Sequence, residues 1–433
     1  MMKAVRITPN RLKGEVIIPP SKSMSHRAII CAALGDGKSK ISNLIMSKDI
    51  IATTEAMKNL GVKVIDTKKD DNDKYEITIE GRDDLKVLNE VIDCNESGST
   101  LRFLIPIGTL ADDKVTFTGK GKLVERPLDT YYEIFEKQGL NYETDDGNLP
   151  LTVDGKLKAD KYEVVGNVSS QFISGLLFTL PKLNKASNIA ITTNLESKGY
   201  IDLTLDMLEK FGIKIENKNY EEFKIDGNQR YTPKDYRVEG DFSQGAFWIV
   251  AGLIGDSIKC LDLDLASKQG DKEILEIVEK MGGKIEYKED GILVHPSETN
   301  GITIDVSQCP DLVPILTVLG TFSKGVTKIV NAARLRIKES DRLKSISTEL
   351  NKLGANIIEL EDGLEIHGVE GLTGGVVNSW NDHRIAMALG IGSMKCSGEL
   401  TIENSSSVEK SYPSFWEDFK SLGGHVHEWN MGE

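Results

Sequence analysis

The feature that most constrains the fold of this 433-residue chain is a repeat of six similar segments. Each segment reads as an amphipathic helix that ends at a glycine and is followed by a short strand, as in MKNLGVKVI and LEKFGIKIE. Glycine suits the end of a helix because it adopts left-handed backbone angles without a Cβ clash. The repeat predicts a fold assembled from similar units. The six glycines, which stand 69 to 78 residues apart, are Gly61, Gly139, Gly212, Gly282, Gly354 and Gly423.

A second strand follows the first in five of the six segments, as in YEITIEG and GLEIHG, and each pair predicts a hairpin. The sixth segment ends without this partner strand. AVRITP, residues 4–9, alternates as the missing strand would, so we expect the N-terminal twenty residues to complete the last repeats. The prediction is an α/β (α+β) protein of two domains, which also suits the chain length. One domain comprises residues 21–236 with repeats 1–3, and the other comprises residues 1–20 plus 237–433 with repeats 4–6.

Short polar phrases lead into apolar helices once in every repeat. Examples are SKSMSHRAII, SGSTLRFLI and NDHRIAMAL. Their Ser, Asp and Asn residues favour helix N-termini, where the positive end of the helix dipole lies. Lys22, Arg27, Arg102 and Arg384 stand in the first two turns, where a cation opposes the dipole unless an anion offsets it. Ordinary capping explains any single phrase, but four cations at equivalent positions indicate anion binding.

The overall charge limits the classes of partner. A formal net charge of −14 and a pI near 5.1 argue against nucleic acid or an anionic membrane, which attract basic surfaces. The most apolar stretch, GAFWIVAGLIG, is too short to span a bilayer. The five cysteines are scattered and form no CxxC pair, so we expect neither a disulfide framework nor a zinc site, and a reduced, cytoplasmic location.

Several residues that can move protons or hold anions stand in the second half of the chain. Asp311 stands in CPDLVP, and Glu339 lies in the dense segment RLRIKESDRL, residues 334–343. His383 stands in NDHRIAMA, and Lys410 stands in VEKSYP. The dense segment can also be a salt-bridged helix start, His383 a core histidine and Lys410 a solvated surface lysine.

Taken together, these phrases resemble the 5-enolpyruvylshikimate-3-phosphate (EPSP) synthase family. The shared motifs are SKSMSHRA, SGSTLRF, VERPL, NVSSQF, SKGYIDLT, CPDLVP, RIKESDRL, NDHRIAMA and the lysine of VEKSYP, in the family's order over essentially the whole chain. The resemblance implies a two-domain inside-out α/β barrel. Each domain would contain three copies of a βαβαββ unit, and the active site would lie in the interdomain cleft.

The resemblance also implies the reaction and the residues that hold its substrates. The family moves the enolpyruvyl group of phosphoenolpyruvate to the 5-hydroxyl of shikimate 3-phosphate and releases phosphate. Residues expected to bind shikimate 3-phosphate are Lys22, Ser23, Arg27, Ser169, Ser170, Gln171, Ser197, Tyr200, Asp311 and Lys338. Residues expected to bind phosphoenolpyruvate are Lys22, Gly98, Arg126, Gln171, Arg342, Arg384 and Lys410.

Four of the matched residues are expected to carry the chemistry. Asp311 would act as the base toward the 5-hydroxyl, and Glu339 would carry the proton at the methyl carbon. Lys22 would assist the departure of phosphate, and His383 would support that network. The reaction needs no metal and no organic cofactor, and the family suggests a monomer.

Two other functions stay open at this point. The sister enzyme that transfers enolpyruvate to UDP-N-acetylglucosamine carries a cysteine five residues before its Arg-Pro pair, whereas this chain has Gly121 before Arg126. A non-catalytic anion-binding repeat protein would not need acids beside its cations. The chain also departs from its family, with Arg334 where many relatives have Asn and Phe103 where many have Pro. The role of Arg334 is left open.

Overall fold

A computed structural model describes residues 3–71 and 73–430 of the chain. The chain divides into two compact units. One, here called the inserted unit, is Pro20–Glu239, and the other, the split unit, combines Met1–Pro19 with Gly240–Glu433. No helix within residues 3–71 and 73–430 is both long and apolar enough to cross a membrane.

Helices and short strands alternate throughout the part of the chain that the structure describes. The helices are α1 (Lys22–Leu34), α2 (Lys48–Asn59), α3 (Gly98–Gly108), α4 (Asp129–Gln138), α5 (Ser170–Thr179), α6 (Lys198–Lys210), α7 (Phe242–Ile254), α8 (Glu273–Lys280), α9 (Val313–Thr321), α10 (Arg342–Lys352), α11 (His383–Gly392) and α12 (Phe415–Ser421). The strands are β1 (Lys3–Thr8), β2 (Gly14–Ile17), β3 (Gly37–Leu44), β4 (Lys63–Lys69), β5 (Tyr75–Gly81), β6 (Val91–Asp93), β7 (Val115–Thr118), β8 (Asn141–Asp145), β9 (Asn148–Asp154), β10 (Lys161–Val164), β11 (Ser187–Ile191), β12 (Ile215–Lys218), β13 (Glu222–Ile225), β14 (Tyr236–Arg237), β15 (Ile258–Leu261), β16 (Lys284–Lys288), β17 (Gly291–His295), β18 (Thr303–Asp305), β19 (Val326–Val330), β20 (Asn356–Leu360), β21 (Gly363–His367), β22 (Gly375–Asn378), β23 (Leu400–Glu403) and β24 (His425–Asn430).

The strands form six four-stranded sheets, three in each unit, with one shared topology. The inserted unit contains the orders β14-β3-β5-β4, β6-β7-β9-β8 and β10-β11-β13-β12. The split unit contains β2-β15-β17-β16, β18-β19-β21-β20 and β22-β23-β1-β24. In every sheet the first pair of strands is parallel and the next two pairs are antiparallel. The predicted sixfold α/β repeat is therefore confirmed.

The two local predictions about repeat boundaries are also confirmed. All six repeat glycines, from Gly61 to Gly423, have positive φ, between 65° and 96°. They therefore lie in the left-handed region in which a Cβ is unfavourable. The N-terminal strand β1 pairs antiparallel with β23 and β24, and so completes the sheet of the sixth repeat.

Each unit encloses its own hydrophobic core, built from helices that are buried on nearly every side. α7 is an example, since every residue from Phe242 to Ile254 is buried. A helix with no solvent-facing stripe belongs to a core, so only its ends can present polar groups. Serine or aspartate side chains accept hydrogen bonds from the first-turn amides of α1, α3, α5, α7 and α11.

Candidate functional site

A lysine at the N-terminus of α1 is held by a buried carboxylate of α2. Ser21 Oγ accepts from the Met24 amide and caps the helix. Lys22, the first residue of the helix, donates from Nζ to Asp49 Oδ2 over 2.9 Å. Asp49 lies in the first turn of α2. The ammonium of Lys22 is therefore fixed beside two helix N-termini, where anions are favoured.

Arg27 is buried one turn further along α1, and its partners are uncharged. Nε donates to Thr204 Oγ1 over 2.9 Å, Nη1 to the Ser23 carbonyl over 2.7 Å and Nη2 to the Tyr200 carbonyl over 3.0 Å. The guanidinium also lies over the ring of Phe103, 5.1 Å from its centre. Burial lowers the pKa of Arg27 to about 10, so the side chain stays charged at neutral pH. The contacts bring together the predicted residues of α1 and α6.

The N-termini of α3 and α5 are joined through Gln171. Its Nε2 donates to Ser99 Oγ over 2.9 Å, and its Oε1 accepts from Arg102 Nη1 over 3.0 Å. Ser169 caps α5 by accepting from the Gln171 amide. The predicted residue Ser170 is the first residue of the same helix and is buried. Gln171, a predicted residue, therefore joins Ser99 and Arg102 of α3 to the start of α5.

Gly98 and Arg126 are also neighbours. A Cβ added to Gly98 would lie 2.5 Å from Arg126 Nη1. Arg126 follows the 3-10 turn Gly121–Glu125 and is buried. Its Nε has no hydrogen-bond partner among the residues that the structure describes. Such a buried, incompletely bonded guanidinium is suited to an anionic ligand.

Ser197 stands at the N-cap position of α6 in an unusual conformation. Its φ is +55°, in the left-handed region that residues other than glycine seldom adopt. The residue is buried, and Tyr200 follows within the first turn. Observed backbone outliers of this kind concentrate at ligand sites.

The split unit contains a second cluster, centred on the buried guanidinium of Arg342. Arg342 is the first residue of α10, and its side chain is only 1% exposed. The side chain donates three hydrogen bonds: from Nη1 to Asp311 Oδ1 over 2.9 Å, from Nη2 to Glu339 Oε2 over 2.9 Å and from Nε to Asp382 Oδ2 over 2.8 Å. Burial would lower the pKa of Arg342, but the three carboxylates outweigh it and raise that pKa. Arg342 is a permanent cation shared by three acids.

Asp311 forms ion pairs with three cations of this cluster. It lies in the 3-10 turn Pro310–Leu312 that leads into α9, and not in the first turn of the α-helix. Its Oδ2 lies 3.1 Å from Arg384 Nη2, and its Oδ1 lies 3.8 Å from Lys338 Nζ. Burial would raise the pKa of Asp311, but Arg384, Lys338 and Arg342 together hold it well below the usual range. Asp311 is therefore ionised.

The N-terminus of α11 carries two predicted residues. Asp382 caps the helix by accepting from the Arg384 amide over 2.9 Å, and Arg384 Nη2 donates to Ser243 Oγ over 3.0 Å. His383 is buried, with Nδ1 3.8 Å from Asp382 Oδ1. Lys410 ends the 3-10 turn Ser405–Lys410, and its Nζ donates to the Asn381 carbonyl over 2.6 Å. Lys410 is thus a buried side chain beside this helix, not a solvated surface lysine.

Three residues in these clusters have no role in the sequence-based site. Asp49 resembles any acid in the first turn of a helix, so its sequence carries no special signal. Arg102 is one of the four cations whose positions near helix N-termini indicate anion binding, but neither predicted set of substrate-binding residues includes it. Asp382 stands within the NDHR phrase, and its cap position could have identified it.

The described residues show no arrangement typical of a metal centre. Among residues 3–71 and 73–430, no group of three or more His, Cys, Asp or Glu side chains is placed to hold a metal ion. The five cysteines are buried and unpaired. Burial raises the pKa of the Cys31, Cys94 and Cys260 thiols, which disfavours the reactive thiolate.

Comparisons with known proteins agree over nearly the full chain. The family model of EPSP synthase (3-phosphoshikimate 1-carboxyvinyltransferase) matches residues 7–419. The chain is 58% identical to the 3-phosphoshikimate 1-carboxyvinyltransferase of Clostridium novyi, with 100% of both chains covered. It is 59% identical to the enzyme of the same name from Clostridium perfringens, over 98% of this chain and 99% of the relative.

Solved structures support the same fold at lower identity. The EPSP synthase of Acinetobacter baumannii superposes with a TM-score of 0.82 at 24% identity, covering 99% of this chain and 100% of that one. The enolpyruvyl transferase NikO of Streptomyces tendae superposes with a TM-score of 0.80 at 16% identity, covering 99% of each chain. At these identities the likeness concerns the fold alone.

Proposed function

The chain belongs to the EPSP synthase family, and from this premise we propose how its residues divide the reaction between them. The protein transfers the enolpyruvyl group of phosphoenolpyruvate to the 5-hydroxyl of shikimate 3-phosphate and releases phosphate, in the shikimate pathway to aromatic amino acids. Transfer to UDP-N-acetylglucosamine and a purely binding role are not favoured. The observation that carries the residue assignments is the cluster on Arg342, where two candidate proton carriers, Asp311 and Glu339, share one buried cation.

Shikimate 3-phosphate is held mainly by the inserted unit in this proposal. Arg27 binds the substrate carboxylate, because its planar guanidinium can donate two parallel bonds. Ser169, Ser170 and Lys338 bind the phosphate, the serines through hydroxyls and amides at the N-terminus of α5. The other contacts come from Lys22, Ser23, Gln171, Ser197, Tyr200 and Asp311.

Phosphoenolpyruvate is held by arginines from both clusters. Arg342 and Arg384 now bond carboxylates of the protein, and they would turn part of their donors to the substrate. Arg126, whose Nε lacks a partner among the described residues, has donors to spare. The absence of a Cβ at Gly98 leaves room beside Arg126. Lys22, Gln171 and Lys410 complete this set.

Addition requires two opposed proton transfers. Glu339 takes up a proton from solvent once Arg342 turns to the substrate, and it donates that proton to the methylene carbon of phosphoenolpyruvate, so the neighbouring carbon becomes electrophilic. The 5-hydroxyl oxygen attacks that carbon and gives its proton to the Asp311 carboxylate. Asp311 is a weak base while three cations hold it. When Arg384 and Arg342 turn toward the anionic substrate, Asp311 loses part of that stabilisation and becomes a stronger base.

Elimination returns one proton and breaks the carbon–oxygen bond to phosphate. The Glu339 carboxylate takes a proton from the methyl group, the C–H electron pair forms the new double bond, and phosphate leaves with the electrons of its own bond. Lys22 stabilises the departing anion or protonates it. His383 supports this step through the buried network at the start of α11. Each well-placed acid or base contributes roughly 10²–10⁴-fold.

A phosphate-release assay tests the activity directly. We expect phosphate release only when phosphoenolpyruvate and shikimate 3-phosphate are both present, and a product larger by one enolpyruvyl group on mass spectrometry. UDP-N-acetylglucosamine in place of shikimate 3-phosphate is the matched control and is expected to give none. Release with the nucleotide sugar, or no release with both family substrates, would contradict the proposal.

We also propose that the protein acts as a monomer in the cytoplasm. The five buried, unpaired cysteines suit a reducing compartment, because oxidising compartments favour disulfides. Sedimentation equilibrium is expected to give a mass near 47.7 kDa. A mass of twice that value at micromolar concentration would contradict the monomer.

A further inference from the structure

The turn directly before α11 has an unfavourable backbone. Trp380 and Asn381 both have a φ of +54°, in the left-handed region. Asparagine tolerates this region, whereas a bulky residue such as tryptophan is a genuine outlier there. Such strain persists only where surrounding contacts impose it, and it concentrates at functional sites.

A buried glutamate of α10 imposes this conformation. Glu349 is 1% exposed, and its Oε1 accepts from Trp380 Nε1 over 2.7 Å. Its Oε2 accepts from the Asn378 amide over 3.1 Å, and Lys352 Nζ lies 2.8 Å away. The Trp380 amide in turn donates to Asn378 Oδ1 over 2.7 Å. The Trp380 indole and the Asn378 amide, at the start of the turn, are therefore both bonded to one carboxylate.

The turn determines where the next carbonyl points. The Asn381 carbonyl accepts the 2.6 Å hydrogen bond from Lys410 Nζ. The following residue, Asp382, caps α11 and bonds Arg342. A change in the turn would therefore alter the position of the Lys410 ammonium relative to the start of α11.

We propose that Trp380 and Glu349 are positioning residues that hold Lys410 in place for phosphoenolpyruvate. The inference rests on the proposed role of Lys410 in binding that substrate. Neither Trp380 nor Glu349 bonds Lys410 directly. Both act through the left-handed turn and the Asn381 carbonyl.

The first test is Trp380→Phe, which keeps an aromatic ring and removes the N–H donor to Glu349. We expect the KM for phosphoenolpyruvate to rise about 5- to 20-fold, less than the roughly 10- to 150-fold for loss of a whole hydrogen bond to a charged group, because the lost bond acts on the substrate only through Lys410. The KM for shikimate 3-phosphate should stay within about twofold. The matched control is Trp429→Phe in β24, where the same change should leave both KM values unaltered. A merely structural defect would change both KM values together.

A pair of smaller substitutions tests the backbone conformation itself. Trp380→Gly and Trp380→Ala both remove the indole, but only alanine keeps a Cβ that disfavours the left-handed region. We expect the KM for phosphoenolpyruvate to be about fivefold higher in Trp380→Ala than in Trp380→Gly, which corresponds to about 1 kcal/mol of strain. Equal values would overturn the inference, even if Trp380→Phe proves unable to fold.

Lys410→Met separates failure of this inference from failure of the proposed function. If Lys410→Met raises the KM for phosphoenolpyruvate and Trp380→Phe does not, the turn has no positioning role and the substrate assignment stands. If Lys410→Met has no effect, the assignment of Lys410 itself is wrong, and with it this inference. The double variant is expected to match Lys410→Met alone, because the turn acts only through that lysine. Additive effects would contradict the mechanism.

Discussion

The two clusters of the molecule hold their buried arginines in different ways. In the inserted unit, the donors of Arg27 go to a threonine hydroxyl and two backbone carbonyls. In the split unit, the donors of Arg342 go to three carboxylates, and Arg384 shares one of them. A buried cation must be bonded in either case, because an unbonded one costs several kcal/mol.

This difference in partners indicates that the cluster of the inserted unit serves substrate binding and that the cluster of the split unit serves proton transfer. Neutral partners orient Arg27 but leave its charge uncompensated, so the full charge can act on a bound anion. Carboxylate partners neutralise Arg342 in the absence of substrate, and they become available as bases when the arginine turns to the substrate. We therefore expect substitutions in the inserted unit to act mainly on affinity, and substitutions of the acids in the split unit to act mainly on turnover.

The largest expected effect comes from Glu339→Gln. The amide keeps the size and can still accept a bond from Arg342, but it cannot carry a proton. We expect kcat to fall by about 10²- to 10⁴-fold, while the dissociation constant of shikimate 3-phosphate, measured by calorimetry, stays within about threefold. Glu276→Gln, an exposed carboxylate of the same unit, is the matched control. Unchanged turnover would remove Glu339 from the mechanism.

Arg27→Lys is the corresponding test in the inserted unit. Lysine keeps the charge but cannot reproduce the three-way donor geometry or the flat contact with Phe103. Loss of one charge-assisted bond, at about 1.5–3 kcal/mol, predicts a rise of roughly 10- to 150-fold in the KM for shikimate 3-phosphate. We expect kcat to change by less than about threefold. A fall in kcat comparable to that of Glu339→Gln would break the proposed division between the clusters.

The sequence predicted the repeated features well because they depend on local conformation. A glycine at the end of a helix and a strand that alternates in polarity are determined by neighbouring residues. The six left-handed glycines and the pairing of β1 with β23 and β24 followed from such signals. The helix caps at Ser21 and Ser169 were likewise predictable from the residue type at a helix start.

The partners of the charged side chains could not be predicted in the same way. Thr204 bonds Arg27 across 177 residues of sequence, and Asp382 bonds Arg342 across 40. Such pairs depend on how helices from different repeats pack, which local patterns do not specify. The left-handed turn at Trp380 is a further case, because local preference opposes the observed conformation and the distant Glu349 imposes it.

A smaller effect, visible in the pH profile, concerns Lys338. Burial lowers the pKa of Lys338 to about 8; Asp311 and Glu339 oppose the shift, and Arg334 and Arg342 add to it. The ammonium is therefore charged below pH 8 and neutral above it. If it binds phosphate, kcat/KM for shikimate 3-phosphate should fall as the pH rises through 8, by up to about tenfold per pH unit. This would show that a cation of the split unit also contributes to affinity.

Lys338→Arg is the control for this profile, because a guanidinium stays charged throughout the range. We expect its kcat/KM to be lower at pH 7 but to lack the fall near pH 8. Arg334→Asn removes one of the cations that lower the Lys338 pKa, so the fall should move to higher pH. A profile that is identical in all three proteins would assign the pH dependence to another group.

The smallest expected effect is that of Gly98→Ala. This substitution tests whether a displacement of the Arg126 guanidinium, in the inserted unit, changes substrate affinity. Gly98 begins α3, where alanine suits the backbone, so the free energy of unfolding should change by less than about 1 kcal/mol. The added Cβ would lie 2.5 Å from Arg126 Nη1, and the flexible guanidinium must shift. We expect a rise of about 3- to 10-fold in the KM for phosphoenolpyruvate, equivalent to part of one charge-assisted hydrogen bond.

Glyphosate, a phosphoenolpyruvate-like anion, provides a second measurement of the effect of Gly98→Ala. We expect it to inhibit the wild-type protein, and we expect Gly98→Ala to raise its inhibition constant by a larger factor than the KM for phosphoenolpyruvate. In an Arg126→Ala background the added Cβ meets no guanidinium, so Gly98→Ala should have no further effect on either constant. Equal inhibition constants for the wild type and Gly98→Ala would show that Arg126 does not transmit the effect of the methyl group.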